Sequence, residues 1–137
     1  MAFAALVVAL AGCGGAPAGG GASAGSGTAA PAGKAGIMNA ADAKAFLEQH
    51  PEALVLDVRE PSEWNDDLGH IDRARQIPSG ELASRVGEIA EFKDKPVITV
   101  CRVGVRSHYA AQFLAGQGFT QVSNLNGGMQ AWRQAGY

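Results

Sequence analysis

A cysteine that is followed closely by two arginines comes directly after an apolar run in the C-terminal half of the chain. The run is PVITV, residues 96–100, and CRVGVRS continues it over residues 101–107. A thiol close to guanidinium groups gives up its proton more readily than a free thiol, and the resulting thiolate is a good nucleophile. Cys101, Arg102 and Arg106 therefore predict covalent chemistry in which the arginines hold an anionic reactant.

The flanking segments give this stretch a defined place in a fold. PVITV is apolar and β-branched, which is typical of a strand buried on both faces, and SHYAAQFLAGQGF, residues 107–119, has the spacing of a helix that ends at Gly116 or Gly118. Ligands of open α/β sheets bind beyond the carboxyl ends of the strands, where Cys101 falls. Gly104 and the first helical turn predict backbone N–H donors around the thiolate.

The rest of the domain alternates strands and helices in the same manner. Strands are predicted in ALVLDV (53–58), RQIPSG (75–80) and QVSNL (121–125), and helices in NAADAKAFLEQHP (39–51, with Asn39 as N-cap), GELASRVGEIAEF (80–92, with Leu82, Val86 and Ile89 on one face) and GGMQAWRQ (127–134). This order predicts an α/β fold with a mainly parallel central sheet and helices on both faces.

The beginning of the chain differs in composition from the rest. Residues 1–13, MAFAALVVALAGC, form an apolar run shorter than the roughly 20 residues that span a bilayer. The run predicts a signal peptide, and its end, LAGC, resembles the lipobox of bacterial lipoproteins, whose cysteine (here Cys13) carries lipid. No Lys or Arg precedes it, which fits a start upstream of Met1. Residues 14–36, mostly Gly, Ala, Ser and Pro, predict a flexible tether to a folded domain over 37–137.

Charge and cysteine content exclude several classes of function. The net charge of −2 shows no basic excess, so no nucleic-acid partner is expected. With lipid on Cys13, the second of the two cysteines is left without a disulfide partner. One thiol and scattered histidines do not make a zinc pattern, and we expect neither a metal nor a cofactor. His50 is expected to be exposed and His70 structural, while His108 is a weaker candidate for tuning the charge of the loop.

Four stretches together resemble the single-domain rhodaneses, a family of sulfurtransferases. CRVGVR (101–106) is similar to the active-site loop of the family, which has a nucleophilic cysteine first and an arginine sixth. LDVREPSEW (56–64), GHIDRARQIP (69–78) and LNGGMQAW (125–132) resemble three further motifs in the order that the family has them. Because the four motifs occur in family order between residues 56 and 132 of the predicted domain, the resemblance implies a rhodanese-like fold.

The resemblance also implies a two-step mechanism with Cys101 as the catalytic residue. The thiolate takes the outer sulfur of thiosulfate or a similar small anionic donor as a persulfide, and a thiol or cyanide then accepts that sulfur. Substrate binding is implied for the loop residues Arg102, Val103, Gly104, Val105 and Arg106, and support of the loop for Asp57, Arg59 and Ser107.

Two features distinguish this chain within the resemblance. Asp72 and Arg73 stand where the family commonly has Pro and Gly, so that turn is expected to be reshaped or mobile. The six-residue loop is one residue shorter than in related phosphatases and arsenate reductases, which disfavours an oxyanion enzyme of that type.

A persulfide carrier or interaction module with little turnover stays open as an alternative function. We expect a monomer in the cell envelope, lipid-anchored to a membrane and facing the periplasm or the exterior.

Overall fold

Five short strands form one sheet in which every neighbouring pair is parallel, in the spatial order β1-β5-β4-β2-β3. The computed structural model describes residues 34–137; Cys13 and most of the predicted tether, residues 14–33, lie outside the described residues. The strands are β1 (Gly36–Met38), β2 (Leu54–Asp57), β3 (Arg75–Gln76), β4 (Pro96–Val100) and β5 (Gln121–Leu125). The α-helices are α1 (Ala40–Gln49), α2 (Leu82–Arg85), α3 (Val105–Gly116) and α4 (Gly128–Gln134), and 3-10 helices cover Pro61–Glu63 and Val86–Phe92.

The central strands are buried on both faces, as their continuous apolar runs predict. Alternate side chains of a strand point to opposite faces, so Leu54 and Leu56 join one hydrophobic core while Val55 joins the other. The first core includes α2 and α3 residues, and the second includes α1 and α4 residues. The predicted α/β class, with a parallel sheet and helices on both faces, is confirmed.

The helix predicted over residues 80–92 is correct only at its beginning. Regular α-helix ends at Arg85, and the following turns are 3-10 with Ile89 at non-helical dihedrals (φ −117°, ψ 18°). Gly87 and the β-branched Val86 and Ile89 all have low helix propensity, which explains why the apolar spacing alone did not sustain an α-helix. Leu82 and Ile89 are buried as predicted, and Val86 is half-buried.

Strand β1 is an element that the sequence pattern did not reveal. It begins at Gly36, which the composition assigned to the end of the tether, and its three residues pair with Ser123, Asn124 and Leu125 of β5. Three residues are too few to display an alternating pattern. Tertiary pairing with β5 therefore defines this strand.

The turn with Asp72 and Arg73 is held by side-chain contacts. Arg73 has a φ of 61° and is the one non-glycine residue of the described chain in the left-handed region. Its guanidinium donates to the carbonyl oxygens of Pro51 (2.8 Å) and Leu47 (2.9 Å), close to the C-terminus of α1. The arginine thus keeps the backbone conformation that a glycine would adopt, and its hydrogen bonds to the α1 end offset the strain.

The register of the sheet brings the ends of three strands together. Asp57, the last residue of β2, lies beside Val100, the last of β4, and Thr99 of β4 lies beside Asn124 of β5. Cys101 is therefore flanked by β2 and β5 at the carboxyl edge of the sheet. No helix within residues 34–137 is long and apolar enough to cross a membrane.

Candidate active site

Cys101 lies at the base of the loop between β4 and α3 and is almost fully buried, with 1% of the residue exposed. Two groups of the described chain hydrogen-bond to its sulfur. The backbone N–H of Gly104 donates to Sγ over 3.1 Å, and Ser107 Oγ lies 3.3 Å from Sγ. The predicted N–H donors of the loop are thus represented by Gly104, and Ser107 in the first turn of α3 places its hydroxyl oxygen beside the sulfur.

The beginning of α4 holds the loop through backbone contacts. The N–H groups of Met129 and Gln130 donate to the carbonyl oxygens of Cys101 (2.8 Å) and Arg102 (3.0 Å). In a trans peptide the C=O and N–H groups point in opposite directions. The N–H groups of Arg102 and Val103 belong to the same peptides as these two carbonyl oxygens, so they point away from α4. Gly128 permits the close approach, because it has a φ of 57° and a Cβ atom there would overlap the Cys101 carbonyl oxygen.

Gly104 ends the loop and begins α3. Its φ of 93° lies in the left-handed region, and a Cβ atom would lie 2.9 Å from the backbone nitrogen of Gly127. This conformation turns its N–H toward the sulfur and its carbonyl oxygen toward Asn124, whose Nδ2 donates to that oxygen over 3.1 Å. The glycine predicted in the substrate-binding loop is needed for the shape of the loop.

Arg106 points to a carboxylate that sequence reasoning did not single out. Its Nη1 and Nη2 donate to the two carboxylate oxygens of Glu63, each over 2.7 Å. These hydrogen bonds lower the pKa of Glu63 to about 2, although partial burial opposes the shift. One N–H of each terminal nitrogen of Arg106 is therefore engaged within the protein.

Arg102 also contacts acidic residues of the segment after β2. Its Nη1 donates to Asp66 Oδ2 over 2.6 Å, and its Nη2 lies 3.8 Å from Asp67 Oδ1. Arg102 makes a single hydrogen bond to Asp66, whereas Arg106 makes two to Glu63, so the Arg102–Asp66 pair is the less constrained of the two. The sequence pattern did not connect Asp66 with the loop, since that contact spans 36 positions.

Asp57 and Arg59 form a fully buried ion pair at the end of β2. Arg59 Nη2 donates to Asp57 Oδ2 over 2.7 Å, and its Nε lies 3.0 and 3.1 Å from the two Asp57 oxygens. The same guanidinium donates to the carbonyl oxygens of Glu63 (2.8 Å) and Gly69 (2.7 Å). The pair therefore fixes the acidic segment, which in turn holds Arg106 and Arg102, and the side-chain hydrogen bonds of Arg59 go to Asp57 and to that segment.

Val103 and Val105 of the loop are half or more exposed. Ile37 on β1 and Tyr109 on α3 are exposed as well, and these four are the exposed large hydrophobic residues of the described chain. All four line one shallow cavity of about 230 Å³ beside the loop. An apolar surface thus adjoins the loop on one side, and the ion pairs of Arg102 and Arg106 adjoin it on the other.

Ser107 and Asn124 form a buried polar pair behind the sulfur. Ser107 Oγ lies 2.7 Å from Asn124 Oδ1, and neither residue is more than 4% exposed. Asn124 was not a predicted site residue. Its position in QVSNL, as a polar residue near the end of a buried strand, is the signal that would have drawn attention to it.

The histidines lie outside this arrangement. His70 stacks on Trp64 with ring centroids 4.3 Å apart, His50 pairs with Glu52, and His108 Nε2 lies 3.1 Å from Gln112 Nε2. Within residues 34–137, no group of three or more His, Cys, Asp or Glu side chains is placed to hold a metal ion.

A family model, related sequences and a solved structure all point to the same protein family. The rhodanese-like domain model matches residues 39–135. An uncharacterized Bacillus subtilis protein, YqhL, is 42% identical over 96 residues, which are 70% of this chain and 73% of that protein. The thiosulfate sulfurtransferase GlpE of Shewanella oneidensis is 40% identical over 81 residues, 59% of this chain and 76% of that protein. The crystal structure of a rhodanese-related protein from Thermoplasma volcanium is 35% identical, with a TM-score of 0.64, and the match covers 74% of this chain and 94% of that one.

The chain belongs to the rhodanese-like family. The family model spans nearly all of the described domain, and the four motifs found in the sequence fall within its limits. Relatives that are sulfurtransferases support a sulfurtransferase activity in general.

Proposed function

We propose that the protein transfers sulfane sulfur from thiosulfate or a similar small donor to a thiol or cyanide acceptor through a persulfide on Cys101. The observation that carries the proposal is the place of the sulfur, which lies at the carboxyl edge of the sheet with the Gly104 N–H 3.1 Å away. The Cys101 thiolate forms a bond to the outer sulfur of the donor while the sulfur–sulfur bond of the donor breaks, and the electron pair leaves with sulfite.

The second step regenerates the thiol. The acceptor, a thiolate or cyanide, attacks the outer sulfur of the persulfide, and Cys101 Sγ leaves with the bonding electron pair. The loop suits this exchange because its shape is set by backbone contacts from α4, which do not change when the sulfur gains or loses an atom. Donor binding by Arg102 and Arg106 requires either release from their carboxylate partners or use of the remaining N–H groups of each guanidinium.

The mass of the protein tests the persulfide directly. After treatment with thiosulfate and removal of excess donor, we expect the peptide that contains Cys101 to gain the mass of one sulfur atom and to lose it again on addition of cyanide. Cys101→Ser should show no gain, no thiosulfate-to-cyanide transfer and an unchanged circular dichroism spectrum. Sulfur transfer by the Cys101→Ser protein would contradict the proposal.

A persulfide carrier that serves a partner protein is a second candidate. The four exposed apolar side chains next to the loop favour it, since such a patch is typical of a protein contact. A carrier should accept sulfur once, as measured by mass, yet turn over thiosulfate and cyanide slowly. Fast steady-state turnover with these small molecules would favour the enzyme.

We also propose that lipid on Cys13 anchors the domain to a membrane of the cell envelope, facing the periplasm or exterior. The LAGC sequence at residues 10–13 supports this, and Cys13 itself lies outside the described residues. Cys13→Ala should move the protein from the membrane to the soluble fraction of expressing cells. A variant that stays with the membrane would contradict the anchor.

A further inference from the structure

A continuous line of buried hydrogen-bonding groups leads from the sulfur to strand β5. Ser107 Oγ lies 3.3 Å from Cys101 Sγ and 2.7 Å from Asn124 Oδ1, and Asn124 Nδ2 lies 3.1 Å from the Gly104 carbonyl oxygen. Cys101, Ser107 and Asn124 are 1%, 0% and 4% exposed. Water therefore has little access to these groups, and each hydrogen must be shared among the protein atoms present.

The direction of each hydrogen bond follows from the Gly104 carbonyl. A carbonyl oxygen can only accept, so the Asn124 amide nitrogen faces Gly104 and the Asn124 amide oxygen faces Ser107. That amide oxygen also only accepts, so Ser107 must donate to it. A hydroxyl has one hydrogen, and the shorter contact, at 2.7 Å, belongs to Asn124. Ser107 consequently presents its oxygen lone pairs to Cys101.

We propose that Asn124 is a positioning residue that holds the Ser107 hydrogen away from Cys101 and thereby favours the uncharged forms of Sγ. In the thiol, the S–H group donates to Ser107 Oγ, and all three side chains are satisfied. In the thiolate, Sγ keeps the Gly104 N–H as a donor, and Ser107 can supply a second one only by withdrawing its hydrogen from Asn124. The buried Asn124 oxygen then loses its partner, which opposes the charge on Sγ.

This inference rests on the proposed function, in which Sγ passes through uncharged states, the thiol and the persulfide, and through the charged thiolate. The proton of the thiol first leaves to a base in solvent, and the Ser107 hydrogen turns to Sγ. When Sγ bonds to the sulfane sulfur and the donor departs with the electron pair, Sγ is uncharged again and the hydrogen returns to Asn124. In the second step Sγ leaves as the thiolate. Asn124 thus stabilises the resting thiol and the persulfide relative to the reactive thiolate between them.

The charged groups around the sulfur have to be kept constant in any test. The charged and titratable side chains on the surrounding elements are Asp57 at the end of β2, Arg59, Glu60, Glu63, Asp66, Asp67 and His70 in the segment after it, Arg102 in the loop, Arg106, His108 and Tyr109 on α3, and Arg133 on α4. Strand β5 carries no charged residue. Variants of Asn124 and Ser107 leave all of these groups in place.

The experiment measures the rate of Cys101 alkylation by iodoacetamide as a function of pH, in full-length protein with Cys13→Ala so that one cysteine remains. Asn124→Leu frees the Ser107 hydrogen for the thiolate, so the pH of half-maximal rate should fall by about half a unit or more. The Gly104 carbonyl keeps a partner in the His108 N–H at 3.2 Å. Asn124→Asp places a negative charge behind the sulfur and should raise the midpoint. A shift of both variants in one direction, or of neither, overturns the proposal.

Ser107→Ala separates the hydrogen-bond relay from a general disturbance of the loop. In that background Asn124→Leu should no longer shift the midpoint, because no hydroxyl remains to be released. Thr99→Val is the matched control, since it removes a buried 2.8 Å hydrogen bond to the Ser107 carbonyl oxygen without involving the hydroxyl hydrogen. An equal shift by Asn124→Leu with and without the serine would overturn the proposal.

A second measurement does not depend on the folding of the Asn124 variants. In the Cys13→Ala protein, the S–H stretching band in the Raman spectrum should lie at the lowered frequency of a donating thiol at neutral pH, and Ser107→Ala should move it to the frequency of a free thiol. An S–H band that Ser107→Ala leaves unchanged overturns the proposal. These readouts concern the thiol alone and need no sulfur donor. Failure of sulfur transfer from thiosulfate would therefore overturn the proposed function without deciding the role of Asn124, and an unchanged S–H band would overturn the role of Asn124 without deciding the function.

Discussion

The two loops that meet at the carboxyl edge of the sheet are fixed in different ways. The segment after β2, residues 58–70, is held by side chains, with the buried Arg59 binding Asp57 and two backbone carbonyl oxygens. The loop after β4, residues 101–104, is held by backbone groups, since N–H groups of α4 bind its carbonyl oxygens. The difference matches their tasks. A loop whose Gly104 N–H donates to a reactive sulfur needs fixed peptide orientations, whereas the longer segment only has to present carboxylates.

The two loops meet at the ion pairs of Arg106 with Glu63 and Arg102 with Asp66. Through these pairs, the position of an acidic segment governs how free the two arginines are to bind an anion. The comparison therefore predicts that damage to the side-chain-held segment mainly affects stability and donor binding. Damage to the backbone-held loop should instead affect the reactivity of the thiol.

The largest loss of stability is expected from Arg59→Met. The change leaves the Asp57 carboxylate buried without its cation and removes hydrogen bonds to Glu63 and Gly69, so the free energy of unfolding should fall by about 3–5 kcal/mol in urea titrations. Arg75→Met is the matched control, because Arg75 is half exposed and pairs with an exposed Glu91; it should cost less than about 0.5 kcal/mol. Equal effects would show that the buried pair does not anchor the segment.

Gly128→Ala tests the backbone-held loop. The added methyl group overlaps the Cys101 carbonyl oxygen, and the residue must keep a φ of 57°, so we expect a loss of about 2–3 kcal/mol together with an altered rate of Cys101 alkylation. Gly116→Ala is the control, since a Cβ atom there has no neighbour within 4 Å. An unchanged alkylation rate in Gly128→Ala would contradict the role given to α4.

A smaller effect is expected from Glu63→Gln. The pKa of Glu63 is depressed to about 2, so its contribution to stability is fully present above the pKa of the unfolded state and is lost as the pH falls from about 4 toward 2. The variant should be less stable than the wild type by about 1 kcal/mol at pH 7, and the difference should vanish over that acidic range. Glu48→Gln, in an exposed pair with Lys44, should show little difference at either pH.

The variant Arg106→Lys distinguishes bracing of the loop through Glu63 from binding of the sulfur donor. If Arg106 only braces the loop through Glu63, Arg106→Lys should add little to the effect of Glu63→Gln, because the two-pronged contact is already broken. If Arg106 also binds the donor, KM for thiosulfate should rise about tenfold in both backgrounds, which corresponds to about 1.4 kcal/mol.

Arg73 shows how far a family pattern can be applied to a single sequence. The substitution of Asp72 and Arg73 for the usual Pro and Gly suggested a reshaped or mobile turn. The structure places Arg73 at a positive φ and ties its side chain to the last turn of α1. Sequence reasoning recognised the unusual residue correctly, but its partners at residues 47 and 51 follow only from the packing of α1 beside the turn.

The sequence by itself determined the α/β class, the order of the longer elements, and the position of Cys101 at the end of β4. These features follow from local periodicity and from the direction of parallel strands, which act over a few residues. Tertiary structure alone decided that β1 is a strand, that residues 86–92 leave the α-helix, and that Arg106, Ser107 and Arg102 have Glu63, Asn124 and Asp66 as partners. Each of these three contacts joins residues 17 to 43 positions apart. Local spacing of residue types cannot predict these contacts, because they form only after the strands have paired and the helices have packed on the sheet.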